Sequence, residues 1–77
     1  MKTKEKVIMQ YYLNMNDIKT LLGVSQKIAK RIYEKADEID NNKFKEYRIE
    51  ERKVTMKSVL EVNHLTMKDL ERRVYEH

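Results

Sequence analysis

The stretch Leu21-Leu22-Gly23-Val24-Ser25-Gln26 decides how this chain folds. Gly23 is the only glycine among 77 residues, and the chain contains no proline. It follows directly on the apolar pair Leu21-Leu22. A glycine just past the last periodic residue of a helix supplies the left-handed conformation that ends it. Two residues later Ser25 can accept a hydrogen bond from a first-turn N–H and open a second helix. The spacing therefore predicts two helices joined by a three-residue turn.

Working backwards, Asn14 caps the first helix, and Asp17 three residues on completes a capping-box pattern. Met15, Ile18, Leu21 and Leu22 recur at helical spacing. Residues 1–13 read as a basic N-terminal arm: an alternating charged tail to Lys6, expected to be mobile, then a β-prone run ambiguous between short strand and extended arm.

Working forwards, the helix from Ser25 is expected to run to about Asp40. Ile28, Ala29, Ile32, Tyr33, Ala36 and Ile39 fall in an arc of about 140°. Lys27, Lys30, Arg31 and Glu34 fall opposite, so the outward face is mostly cationic. Residues 37–43 are acidic and polar and, with Asn41-Asn42, read as a turn. Glu46–Ile49 and Lys53–Thr55 read as two short strands of a hairpin around a charged loop. Phe44, Tyr33 and Tyr47 read as core or hairpin-anchor residues. Thr55 can cap a third helix with Met56, Val59, Leu60 and Leu65 inward. Thr66 and Asp69 form another capping-box pattern that predicts a break and a fourth helix over Met67–Tyr75. The rival is one continuous helix, because Met56, Leu60, Asn63, Met67, Leu70 and Val74 are spaced 4-3-4-3-4 like a heptad seam.

Composition bounds the function. A chain this short is one small domain with a thin core, 40 % hydrophobic against 39 % charged. It has no cysteine, so neither disulfides nor thiolate metal sites contribute, and a reducing cytoplasm is the expected location. No apolar run is long enough to span a membrane, and the first residues lack a signal-peptide core. His64 is a lone histidine without a second ligand at metal spacing. No catalytic set, phosphate loop or cofactor motif is present, so the expectation is a non-enzyme without cofactors.

The net charge of +4 is unevenly spread. Residues 25–36 carry +3, residues 37–42 carry −3, residues 43–57 carry +3 and residues 58–77 carry −1. Two basic blocks around an acidic hinge favour a nucleic-acid partner. A short helix, a glycine turn and a basic second helix form the layout of a helix-turn-helix. The expected class is mainly α with a small β-hairpin wing, a winged helix-turn-helix over residues 14–62. A C-terminal helix over residues 63–77 is reserved for a partner. The candidate DNA-binding residues are Ser25, Gln26, Lys27, Lys30 and Arg31 on the second helix, and Lys45, Arg48, Arg52 and Lys53 on the wing. Leu70 and Val74 are candidate partner contacts, for dimerisation or docking.

Residues Tyr12-Leu13-Asn14-Met15-Asn16-Asp17-Ile18, Leu21-Leu22-Gly23-Val24-Ser25 and Ala29-Lys30-Arg31-Ile32 resemble the start of excisionase-type, MerR-like winged helix-turn-helix domains. Tyr47-Arg48-Ile49, Arg52-Lys53-Val54 and Met56-Lys57-Ser58-Val59-Leu60 are similar to their wing and following helix. The likeness covers about residues 11–62. It implies a small protein of a phage or mobile element that binds and bends double-stranded attachment-site DNA and directs an integrase toward excision, with self-association on DNA. A small transcriptional regulator of a mobile element uses the same module. The charged wing turn lacks the glycine often found there, and the tail from Thr66 has no counterpart in the family pattern.

Overall fold

A computed structural model describes residues 3–44 and 52–75, the side chain of Phe44 excepted. Their order is α1 (Lys4–Val7), β1 (Tyr12–Leu13), α2 (Met15–Leu22), α3 (Gln26–Phe44), β2 (Val54–Thr55), α4 (Met56–Val62) and α5 (Met67–Tyr75). Among the described residues the chain is mainly helical with one small antiparallel sheet, in which Tyr12 lies opposite Thr55 and Leu13 opposite Val54.

The turn after α2 forms as its residues dictate. Asn14 Oδ1 accepts from the Asp17 N–H at 2.8 Å, and Asp17 Oδ2 accepts from the Asn14 N–H at 3.1 Å, a complete capping box. Gly23 ends α2 at φ 64°, ψ 36°, its N–H donating to the Lys19 carbonyl. α3 begins at Gln26 and packs against α2 and α4. Leu13, Ile18, Val54, Val59 and Leu70 are fully buried where these elements meet.

Several expectations need correction. The N-terminal residues are not a loose arm from the described Thr3 onward. Thr3 caps α1, and Val7 and Ile8 are buried in the core. The short run Lys4–Val7 folds because its last residues have an apolar surface to cover, α1 packing on α2 and α5.

The acidic stretch 37–43 is not a turn either, since α3 continues through it to Phe44. Asp40 is 2 % exposed. Its Oδ2 accepts from the Thr55 N–H at 3.0 Å, and its Oδ1 accepts from the hydroxyls of Thr55 and Ser58. This tertiary network keeps helical a segment whose local residues favour a turn.

Of the expected hairpin, Lys53–Thr55 is represented by β2, while Glu46–Ile49 lies outside the described residues. Among the described residues the partner of β2 is β1, which precedes it across the whole of α2 and α3.

The heptad seam is broken. α4 ends at Val62, His64 sits at φ 55°, and Thr66 and Asp69 exchange backbone-to-side-chain bonds at 3.1 Å each to start α5. The break turns α5 back so that Leu70 (0 % exposed) and Val74 (2 %) complete the chain's own core. Burial there removes them as partner contacts.

Candidate nucleic-acid interface

Ser25 Oγ accepts from the Ile28 N–H at 3.3 Å, so the predicted cap on α3 is formed. The N–H groups of Gln26 and Lys27 have no acceptor among the described residues. Such a helix start suits an anion, because free N–H groups and the positive end of the peptide dipoles point the same way.

Ser25, Gln26, Lys27, Lys30 and Arg31 are all exposed. The three cations have no hydrogen bond or ion pair among the described residues. The far half of α3 behaves differently: Lys35 lies 3.9 Å from Glu38, and Lys43 bonds Glu61 at 2.9 Å. Among the described residues, one helix thus carries unpaired positive charge at its start and paired charge toward its end.

The first-turn chemistry sharpens this contrast. Glu5, Asp17 and Asp69 place an acid in the first turn of α1, α2 and α5, where it complements the dipole. α3 has none and carries Lys27 there, and α4 likewise has none and carries Lys57. A cation at that end weakens the helix by some tenths of a kcal/mol, so its placement is not explained by stability.

Periodicity places Ile28 on the inward arc, but it is 39 % exposed, whereas Ala29, Ile32 and Ala36 are buried. Ile28 stands in the first turn of α3 beside Lys27 and adds an apolar side chain to the exposed start of the helix.

The second group of candidates is only partly described. Lys45 and Arg48 lie outside the described residues. Arg52 is exposed and Lys53 half-buried, each with interactions of its own. The Tyr33 hydroxyl donates to the Arg52 carbonyl at 2.8 Å. This bond ties the strand leading into β2 to the flank of α3 that also carries Lys30, three residues earlier. Tyr33 therefore anchors the returning chain, in keeping with its aromatic character and position.

Among the described residues no group of three or more His, Asp or Glu side chains could hold a metal ion. No described helix is long and apolar enough to cross a membrane. Comparison with family models, curated proteins and solved structures returns no match for this chain.

Proposed function

We propose that this protein binds double-stranded DNA as a winged helix-turn-helix. In this reading α2 and α3 are the two helices, and the start of α3 enters the major groove. The observation that carries it is the sorting of charge on α3: Lys27, Lys30 and Arg31 are exposed and unpaired among the described residues, while the later lysines are neutralised. Gln26, Lys30 and Arg31 are long enough to reach base edges, and the Ser25–Lys27 backbone suits a phosphate. Arg52 and Lys53, with Lys45 and Arg48, are assigned to the wing and the DNA backbone.

Within that class we assign the protein to the excisionase-like factors of phages and mobile elements. The support is the motif likeness over residues 11–62 together with the basic face. An integrase is then the natural protein partner, and attachment-site DNA the target. A transcriptional regulator is the second reading of the same module.

The test is binding to DNA fragments flanking the protein's own gene, by mobility shift and footprinting. Simultaneous replacement of Lys27, Lys30 and Arg31 by glutamine should abolish specific binding. It should also flatten the log–log salt slope by about 0.9 for each phosphate that is no longer neutralised. Unchanged binding would overturn the placement of α3. Footprints on recombination arms support the excisionase-like reading, and footprints on a promoter support the regulator.

A further inference from the structure

Four of the five large apolar side chains left exposed among the described residues line a single open groove. They are Met9 (84 % exposed), Tyr11 (66 %), Tyr75 (54 %) and Met67 (42 %), around a space of about 420 Å³. One wall is α5, where Met67, Glu71 and Tyr75 follow each other at intervals of four and form one stripe. The other is the turn after α1, which carries Met9 and Tyr11. Tyr11 is steadied by an edge-on contact with Tyr12, ring centres 4.8 Å apart.

Glu71 is the only charged residue in the lining among the described residues. It has no hydrogen bond or ion pair among the described residues, although Lys68 stands three positions before it on the same helix. Water solvates an isolated surface carboxylate well. Here, however, it is set between Met67 and Tyr75, so a cation brought to it would also meet tyrosine and thioether surface. Tyrosine faces attract cations, methionines adapt to irregular apolar shapes, and the stems of lysine and arginine are themselves apolar. A phosphate backbone is disfavoured by the same carboxylate.

We propose that this groove docks a short cationic and apolar peptide segment of a partner protein, with a lysine or arginine directed to Glu71 and the tyrosines. Among the described residues α3 contributes none to the lining, so the surface is separate from the start of α3 assigned to DNA. The proposal stands whether or not that assignment holds.

The experiment uses the full chain and two capped peptides of equal length, one built from leucine and lysine, the other from leucine and glutamate. Binding is followed by chemical-shift changes at Met9, Tyr11, Met67 and Tyr75. The lysine peptide should bind with shifts confined to the groove, and the glutamate peptide should not. E71Q should weaken binding about three- to fivefold and E71K about tenfold or more, with unfolding midpoints unchanged. Equal binding of both peptides, indifference to both Glu71 variants, or shifts spread over other surfaces would overturn the proposal. Concentration-dependent sedimentation of the free chain that disappears in Y75A would overturn it as well, assigning the groove to a second copy.

Discussion

Asp40 and Ser58 meet inside the protein, the serine hydroxyl donating to the carboxylate across eighteen positions of sequence. The same carboxylate accepts from the N–H and the hydroxyl of Thr55, and Thr55 Oγ1 in turn accepts from the Ser58 N–H at 3.2 Å. One buried acid thereby fixes the far half of α3 to β2 and to the start of α4. Asp40→Ala leaves the Thr55 N–H without its acceptor and removes charge-assisted bonds. The expected destabilisation is about 2–4 kcal/mol. Urea unfolding should show a lower midpoint with an unchanged slope. Asp40→Asn should cost less, because the amide oxygen can keep the Thr55 N–H while its N–H₂ donates to the Thr55 and Ser58 hydroxyls, which can also accept.

Gly23 offers a cleaner test of backbone conformation. Among the described residues an added Cβ would meet nothing closer than Lys4 Nζ at 4.0 Å, so none of them limits Gly23→Ala by space. Its cost comes from φ 64° alone, about 1–2 kcal/mol. Gly23→Asn should be less destabilising than Gly23→Ala, since asparagine tolerates the left-handed region better. Equal effects in thermal unfolding would mean that packing, not backbone angle, controls this turn.

The elements legible in the sequence are those set by neighbours three or four residues apart. Asn14 with Asp17, Gly23 after Leu22, Ser25, Thr55 and Thr66 with Asp69 all act locally, and each marks a boundary that the structure has. The parts that are not legible depend on distant residues. Asp37-Glu38-Ile39-Asp40-Asn41-Asn42 has the composition of a turn, and only Thr55 and Ser58 reveal why Asp40 belongs in a helix. Leu70 and Val74 fit a heptad seam and a core equally well until the reversal at His64 assigns them to the core. Val7 and Ile8 follow a charged tail, and nothing nearby indicates the surface they cover. The basic face of α3 is readable from periodicity, except for Ile28, because arc position alone does not say whether another element covers a residue. The Met9–Tyr75 groove joins the two ends of the chain and has no local signature at all.

Lys27 permits a prediction in which binding and stability move in opposite directions. It stands in the first turn of α3, at the positive end of the helix dipole, with no partner among the described residues. Lys27→Glu should stabilise the fold by about 0.3–1 kcal/mol while weakening DNA binding. Urea unfolding and a mobility shift on the same preparation check both signs. A destabilised Lys27→Glu would mean that the lysine has a structural role.

Asp69 gives a pH dependence with a definite sign. The Thr66 N–H donates to Asp69 Oδ2 at 3.1 Å, and this bond holds the carboxyl below its ordinary value of 3.8. The Thr66 side chain and Arg72 act in the same direction, partly opposed by desolvation. A carboxyl whose pKa is lowered by folding binds protons more readily in the unfolded chain. Its contribution is therefore complete above about pH 4 and disappears as pH falls through the lower folded value. Carbon-detected titration should place the Asp69 midpoint below 3.8. Asp69→Asn should flatten the acid limb of the stability profile, and the difference between the two proteins should vanish at the lowest pH. A midpoint at or above the ordinary value would mean that the capping bond at the start of α5 does not persist in solution, and the reversal that buries Leu70 and Val74 would then rest on apolar packing alone.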